Sequence, residues 1–182
     1  MTVGHNVLYS LTFEIQSDNI KALALIVYKN KTLERLYIGK IMTQKTITIH
    51  EKFNAPIAQV FGTLSDHEKF GKICGINMKR IHDGDDGLNG KGSVRTIKIG
   101  PLPSFEETIT DFIPNEFIEY KITKGSPIKN HVGTLTFSEQ NNQTVLDYEI
   151  KLESKIPFTA SIIKTALQNG IVKGLRKYSK TL

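Results

Sequence analysis

The chain has 182 residues, 39% apolar and 23% charged, with 24 Lys and Arg against 18 Asp and Glu, a formal net charge of +6. These values describe a folded domain large enough to bury a core and exclude a disordered or collagen-like chain. The single cysteine, Cys74, excludes an intrachain disulfide and a cysteine zinc cage and fits a reducing, cytoplasmic setting.

Residues 1–41 read as an N-terminal appendage to a domain at 42–182. Their apolar run ALALIVY (22–28) is too short to span a bilayer, and Glu14 and Asp18 stand where a secretory signal would carry basic residues. Alternation over 45–53 predicts a strand. Asn54 and Pro56 then predict a helix start, Asn54 as cap and Pro56 in the first turn, with Ile57, Val60, Phe61 and Leu64 as its apolar face. Ser65 and Asp66 restart a second short helix through Phe70 and Ile73.

Beyond Gly75 the period drops to two. Strands are predicted at 76–82, 93–99, 105–113, 117–123, 131–138 and 144–154, separated by DGDDGLNGKG, GPLPS, PNE, KGSPIKN and EQNNQ, all turn chemistry. Connections this short impose antiparallel pairing, because parallel neighbours need long crossovers.

The segment 155–182 carries Lys155, Lys164, Lys173, Arg176, Lys177 and Lys180 with no acidic residue, which accounts for the whole net charge. Phe158, Ile162, Ile163, Ala166, Leu167, Gly170, Ile171, Gly174, Leu175 and Tyr178 recur at helical spacing, with Pro157 suited to the first turn. An amphipathic helix is predicted, its apolar stripe packed on the sheet and its basic face in solvent. The sharper reading of that face is a membrane-surface contact. A nucleic-acid partner is not expected, because Tyr178 is the only aromatic interleaved with the positive charges.

This order, strand, two short helices, six strands and a long helix, resembles the helix-grip fold of the START-like, or SRPBCC, superfamily. The stretches ITIHEKFNAPIAQVFGTLSDHEKFGKI and EETITDFIPNEFIEYKITKGSPIKNHVGTLTFSEQNNQTVLDYEI, and the closing GIVKGLRKYSK, are similar to its bacterial polyketide cyclase/dehydrase-like branch. The resemblance covers about residues 43–180. It implies an α+β fold in which a curved antiparallel sheet wraps a long C-terminal helix, enclosing a cavity that takes an apolar small molecule or lipid. It carries over no catalytic residues.

Strand alternation selects which side chains face that helix. Leu135 and Phe137 bring His131 and Gly133 inward; Ile118 brings Tyr120 and Ile122; Leu146 brings Tyr148, Ile150 and Leu152; Met78 brings Arg80 and His82; Ile97 brings Arg95. Residues 105–113 allow two phases, one turning Glu107 inward and the other Glu106. An apolar interior with sparse polar anchors is the usual construction of a small-molecule site. The candidate ligand-binding residues are Arg80, Arg95, Tyr120, His131, Phe137, Tyr148, Ile163, Leu167, Gly170 and Gly174, with Arg95 and Glu107 as an internal ion pair. The alternative reading leaves the arginines and His131 at strand ends and the tyrosines as plain core. Gly170 and Gly174 fit either ligand space or close packing on a strand.

An enzymatic reading, a cyclase or dehydratase, uses His131 or Glu107 as general acid/base with a tyrosine hydroxyl. A third is a lipid or quinone carrier docking on membranes through the basic helix. No cofactor or metal is expected: Asp83, Asp85 and Asp86 lack the terminal glutamate of a calcium loop, and the five histidines are scattered. Cys74 reads as a packing residue.

Overall fold

The computed structural model describes residues 44–99, 103–126, 128–154 and 159–182. The expectations for residues 1–41, Pro157 and Phe158 lie outside them. The elements follow the expected order: β1 (Lys45–Phe53), α1 (Ile57–Leu64), α2 (His67–Cys74), β2 (Asn77–His82), β3 (Val94–Lys98), β4 (Phe105–Ile113), β5 (Phe117–Lys124), β6 (Ile128–Gln140), β7 (Gln143–Ser154) and α3 (Thr159–Ser179). The seven strands form one antiparallel sheet in the order β1-β7-β6-β5-β4-β3-β2, with β1 joining β7. The chain thus has the α+β helix-grip architecture, with α3 packed across the concave face.

Local chemistry sets the boundaries. At α1 the cap position is Pro56, whose carbonyl accepts from Gln59 and Val60; Asn54 does not cap. At α2 the Asp66 carboxylate accepts from the backbone amides of Glu68 and Lys69 at 3.1 and 3.0 Å. Asn141 and Asn142, both at positive φ, close the two-residue turn between β6 and β7. Strand β6 is longer than expected: Ile128 and Lys129, assigned to a turn, pair with β7 instead, and Asn130, at positive φ, falls in the register shift between Lys129 and Val132.

The conflict of phase in β4 is settled by a bulge between Ile109 and Asp111. Phe105, Glu107 and Ile109 are buried on one side of it, and beyond it Phe112 rather than Ile113 packs against the core. Both phases are used, one on each side of the extra residue.

The core divides along α3. At one end Phe61 meets Phe112 and Phe137 edge-on, with centroids 5.3 and 5.1 Å apart. The helix contributes Ile171 and Leu175, both nearly fully buried, and Tyr178 against Phe53. Ile162, assigned to the apolar stripe, is 71% exposed, so the buried stripe is narrower than its sequence pattern.

Candidate functional site

Between the sheet and α3 lies a cavity of about 220 Å³. Strand β3 supplies Arg95 and Ile97, β4 Phe105 and Glu107, β5 Tyr120 and Ile122, β6 Ile128 and His131, and β7 Tyr148 and Ile150. Helix α2 closes one side with Phe70 and Cys74, and α3 the other with Ile163, Ala166, Leu167 and Ile171. Almost all of this wall is hydrocarbon.

The polar groups form one cluster. Arg95 and Glu107 occupy directly paired positions on β3 and β4. Arg95 donates from Nε and Nη2 to the same Glu107 oxygen, Oε2, at 2.9 and 2.6 Å. The guanidinium also lies over the Tyr120 ring, 4.6 Å from its centroid. Burial alone would favour losing the arginine's proton; the Glu107 charge and hydrogen bonds together with the two phenols outweigh it and raise the pKa, so Arg95 stays charged. The hydroxyls of Tyr120 and Tyr148 hydrogen-bond each other. Burial pushes both phenols above their ordinary range, so both are neutral.

His131 stacks obliquely on Tyr120 with centroids 5.6 Å apart. Its Nδ1 is buried without a hydrogen-bond partner, 4.0 Å from Glu107 Oε1. Desolvation lowers its pKa, Glu107 opposing and Arg95 adding, so the ring is neutral at pH 7. Cys74 is buried enough for its thiol to be pushed up to about 12, which removes it as a nucleophile.

A glycine makes the cluster possible. Gly133 pairs with Tyr120 across β5 and β6, and a Cβ there would fall on the Tyr120 ring, overlapping Cε1 and Cζ. With no side chain at that position, the ring lies flat across β6 toward Tyr148. Alternation places Gly133 inward without revealing this role; a strand glycine opposite an aromatic is the signal that would have found it. Periodicity gave no sign of Phe70 and Cys74 in the wall, because the packing of α2 beside the cavity is a tertiary fact.

Of the candidate residues, Arg95, Glu107, Tyr120, His131, Tyr148, Ile163 and Leu167 line the cavity. Four do not. Arg80 keeps the inward phase opposite Arg95, but it stands near the end of β2 outside the cavity lining and donates to Asp83 at 2.7 Å and Asn89 at 3.1 Å. His82, grouped with it, is exposed. Phe137 belongs to the filled end of the core against Phe61. Gly174 is a point of close packing on α2 rather than on a strand: a Cβ there would collide with the Ile73 carbonyl oxygen. Gly170 faces open space, with nothing within 4 Å of where a Cβ would stand, and is outside the cavity lining.

Among the described residues no cluster of three or more His, Cys, Asp or Glu is placed to hold a metal ion, and no described helix is long and apolar enough to cross a membrane. The basic residues Lys173, Arg176 and Lys177 are exposed on α3 and Lys180 just past its end, Arg176 pairing with Glu51 at 3.2 Å.

Residues 44–182 match the sequence profile of the family described as polyketide cyclase / dehydrase and lipid transport. A START superfamily protein from Mycobacterium smegmatis superposes with a TM-score of 0.63 at 14% identity, covering 75% of this chain and 97% of that one. Norcoclaurine synthase from Thalictrum flavum, in complex with dopamine and hydroxybenzaldehyde, superposes with a TM-score of 0.57 at 12% identity, covering 78% and 87%. At such identities the likeness is one of fold. No curated protein matches the sequence.

Proposed function

Because the chain belongs to the polyketide cyclase / dehydrase and lipid transport family, we propose that it binds a hydrophobic small molecule in the cavity between the sheet and α3. The observation that carries this reading is an interior void walled by hydrocarbon whose two charges, Arg95 and Glu107, neutralise each other. An unfilled apolar void costs stability, roughly 20 cal/mol per Å² of its surface. Filling it with about 200 Å² of ligand hydrocarbon is worth roughly 5 kcal/mol before the costs of association.

Binding is favoured over catalysis by the state of the titratable groups. Glu107 is engaged by two Arg95 donors, and the 4.0 Å gap to His131 is longer than a hydrogen bond. That arrangement holds a structural ion pair more readily than it passes a proton. The neutral two-ring fluorophore 1-naphthylamine tests the proposal. Its emission shifts to the blue on binding, and Leu167→Trp, which fills the cavity from α3, abolishes the shift. Equal emission with wild type and Leu167→Trp refutes binding at this place.

A carrier role at membranes has one supporting observation. Exposed Ile162 and Lys173 lie about three turns apart on one face of α3, in line with Lys177 and Lys180. Salt-sensitive binding to phosphatidylserine vesicles, lost in Lys173→Glu/Lys177→Glu, is its expected signature; indifference to lipid charge rejects it.

A further inference from the structure

We propose that the ligand is a compact neutral molecule bearing a hydroxyl that His131 accepts, and that the cavity discriminates against the matching carboxylate. The inference rests on the reading above that this cavity is the binding site.

Size sets the first limit. A dry apolar cavity of about 150 Å³ accommodates benzene. The 220 Å³ here suits one or two fused rings or a short branched chain rather than an extended acyl tail.

Charge sets the second. Arg95 and Glu107 are the only formally charged side chains among the described lining residues. Arg95 looks like a carboxylate anchor, but two of its donors already converge on Glu107 Oε2 and its face is covered by Tyr120. An entering carboxylate would place two anions beside one cation in a medium that screens poorly. Displacing Glu107 to make room would leave that carboxylate buried and unpaired, which is no cheaper. The pair therefore repels anions although it contains an arginine.

Hydrogen-bonding capacity sets the third. The Tyr120 and Tyr148 hydroxyls engage each other. The cluster's unmet capacity is on His131, whose Nδ1 is unpartnered and turned toward Glu107 Oε1. Glu107 Oε1, 4.0 Å from Nδ1 and beyond hydrogen-bond reach, still favours the imidazole proton on that side by its charge, and the tautomer it favours carries its acceptor on Nε2. A neutral acceptor in an apolar cavity rewards an O–H donor. A carboxylate brings no proton to give and a bare hydrocarbon brings no polar group, so a hydroxyl is the group that satisfies the ring.

The test is displacement of 1-naphthylamine at pH 7 by 1-naphthol, 1-naphthoate and 1-methylnaphthalene, three ligands of similar size. The expected result is displacement by naphthol at a concentration at least about ten-fold below that of naphthoate, with methylnaphthalene between them. In His131→Phe, naphthol falls to the level of methylnaphthalene; in His131→Gln, which keeps an acceptor, part of its advantage survives. Naphthoate binding as well as naphthol, or an undiminished naphthol advantage in His131→Phe, overturns the inference while leaving the cavity as a binding site. Failure of the fluorophore and all three competitors to bind overturns the binding proposal itself, and this inference with it.

Discussion

Arg95 and Glu107 face each other from directly paired positions on β3 and β4, both about 95% buried, and the arginine commits Nε and Nη2 to one glutamate oxygen. Two ions thus enter an apolar interior as a neutral unit. Each is tolerable there only because of the other.

Removing one partner should therefore cost far more than removing both. Glu107→Gln leaves a buried guanidinium without its counter-charge, and a loss of about 3–5 kcal/mol is expected in urea unfolding. The double variant Arg95→Met/Glu107→Leu should recover most of that loss. A single-variant cost below about 1 kcal/mol would mean that water reaches the pair.

His67 stands at the first position of α2, 1% exposed, with neither ring nitrogen hydrogen-bonded. Burial first, then the charges of Arg95 and Arg80, push its pKa down from 6.5 to about 3. The folded protein keeps this ring neutral while the unfolded chain protonates it below about pH 6.5. Its contribution to stability is therefore complete above pH 6.5 and is lost as pH falls toward 3, by up to roughly 1.4 kcal/mol per pH unit. His131, shifted in the same direction, adds a slope of the same sign. His67→Phe should flatten the fall of Tm between pH 6.5 and 4 without abolishing it; an unchanged slope would show that the ring is accessible to protons.

Two glycines one turn apart on α3 should respond oppositely to the same substitution. Gly170→Ala meets nothing and gains helix propensity, so a stabilisation of up to about 1 kcal/mol is expected. Gly174→Ala drives a methyl into the Ile73 carbonyl oxygen, and the separation of α3 from α2 that relieves it should lower Tm by several degrees. Thermal melts of the two variants read the contrast directly.

The Tyr120–Tyr148 hydroxyl pair gives a third contrast. Tyr148→Phe strands the fully buried Tyr120 hydroxyl, at a cost of about 1–3 kcal/mol, whereas Tyr120→Phe/Tyr148→Phe removes both polar groups and should cost less than the sum of the single changes. A double-mutant cycle in urea measures the coupling, and simple additivity would mean that the hydroxyls are separately satisfied.

Side-chain patterning accounted for the side of the sheet on which Arg95, Tyr120, His131 and Tyr148 lie, because a strand alternates with period two whatever surrounds it. It failed where the backbone departs from that period. In β4 both glutamate phases had apolar support, and only the bulge after Ile109 shows why Ile109 and Phe112 face the same core. In β2 Arg80 keeps its place opposite Arg95, and the irregularity after it breaks the phase before His82, which is exposed. Bulges leave little mark in composition, since they are stabilised by the neighbouring strand rather than by the residues that form them.

The sequence by itself determined the order of elements, their antiparallel pairing and the confinement of the net charge to the closing segment, 155–182. Those properties depend on local periodicity, turn chemistry and counting. The tertiary structure decided which inward residues border empty space and which fill solid core. Phe137 and Tyr148 both point inward, yet Phe137 is packed edge-on against Phe61 while Tyr148 looks into the cavity. Alternation specifies a face but not what stands opposite it. What stands opposite is set by where α1, α2 and α3 come to rest on the sheet, through contacts such as Gly174 on Ile73 that join residues about a hundred positions apart.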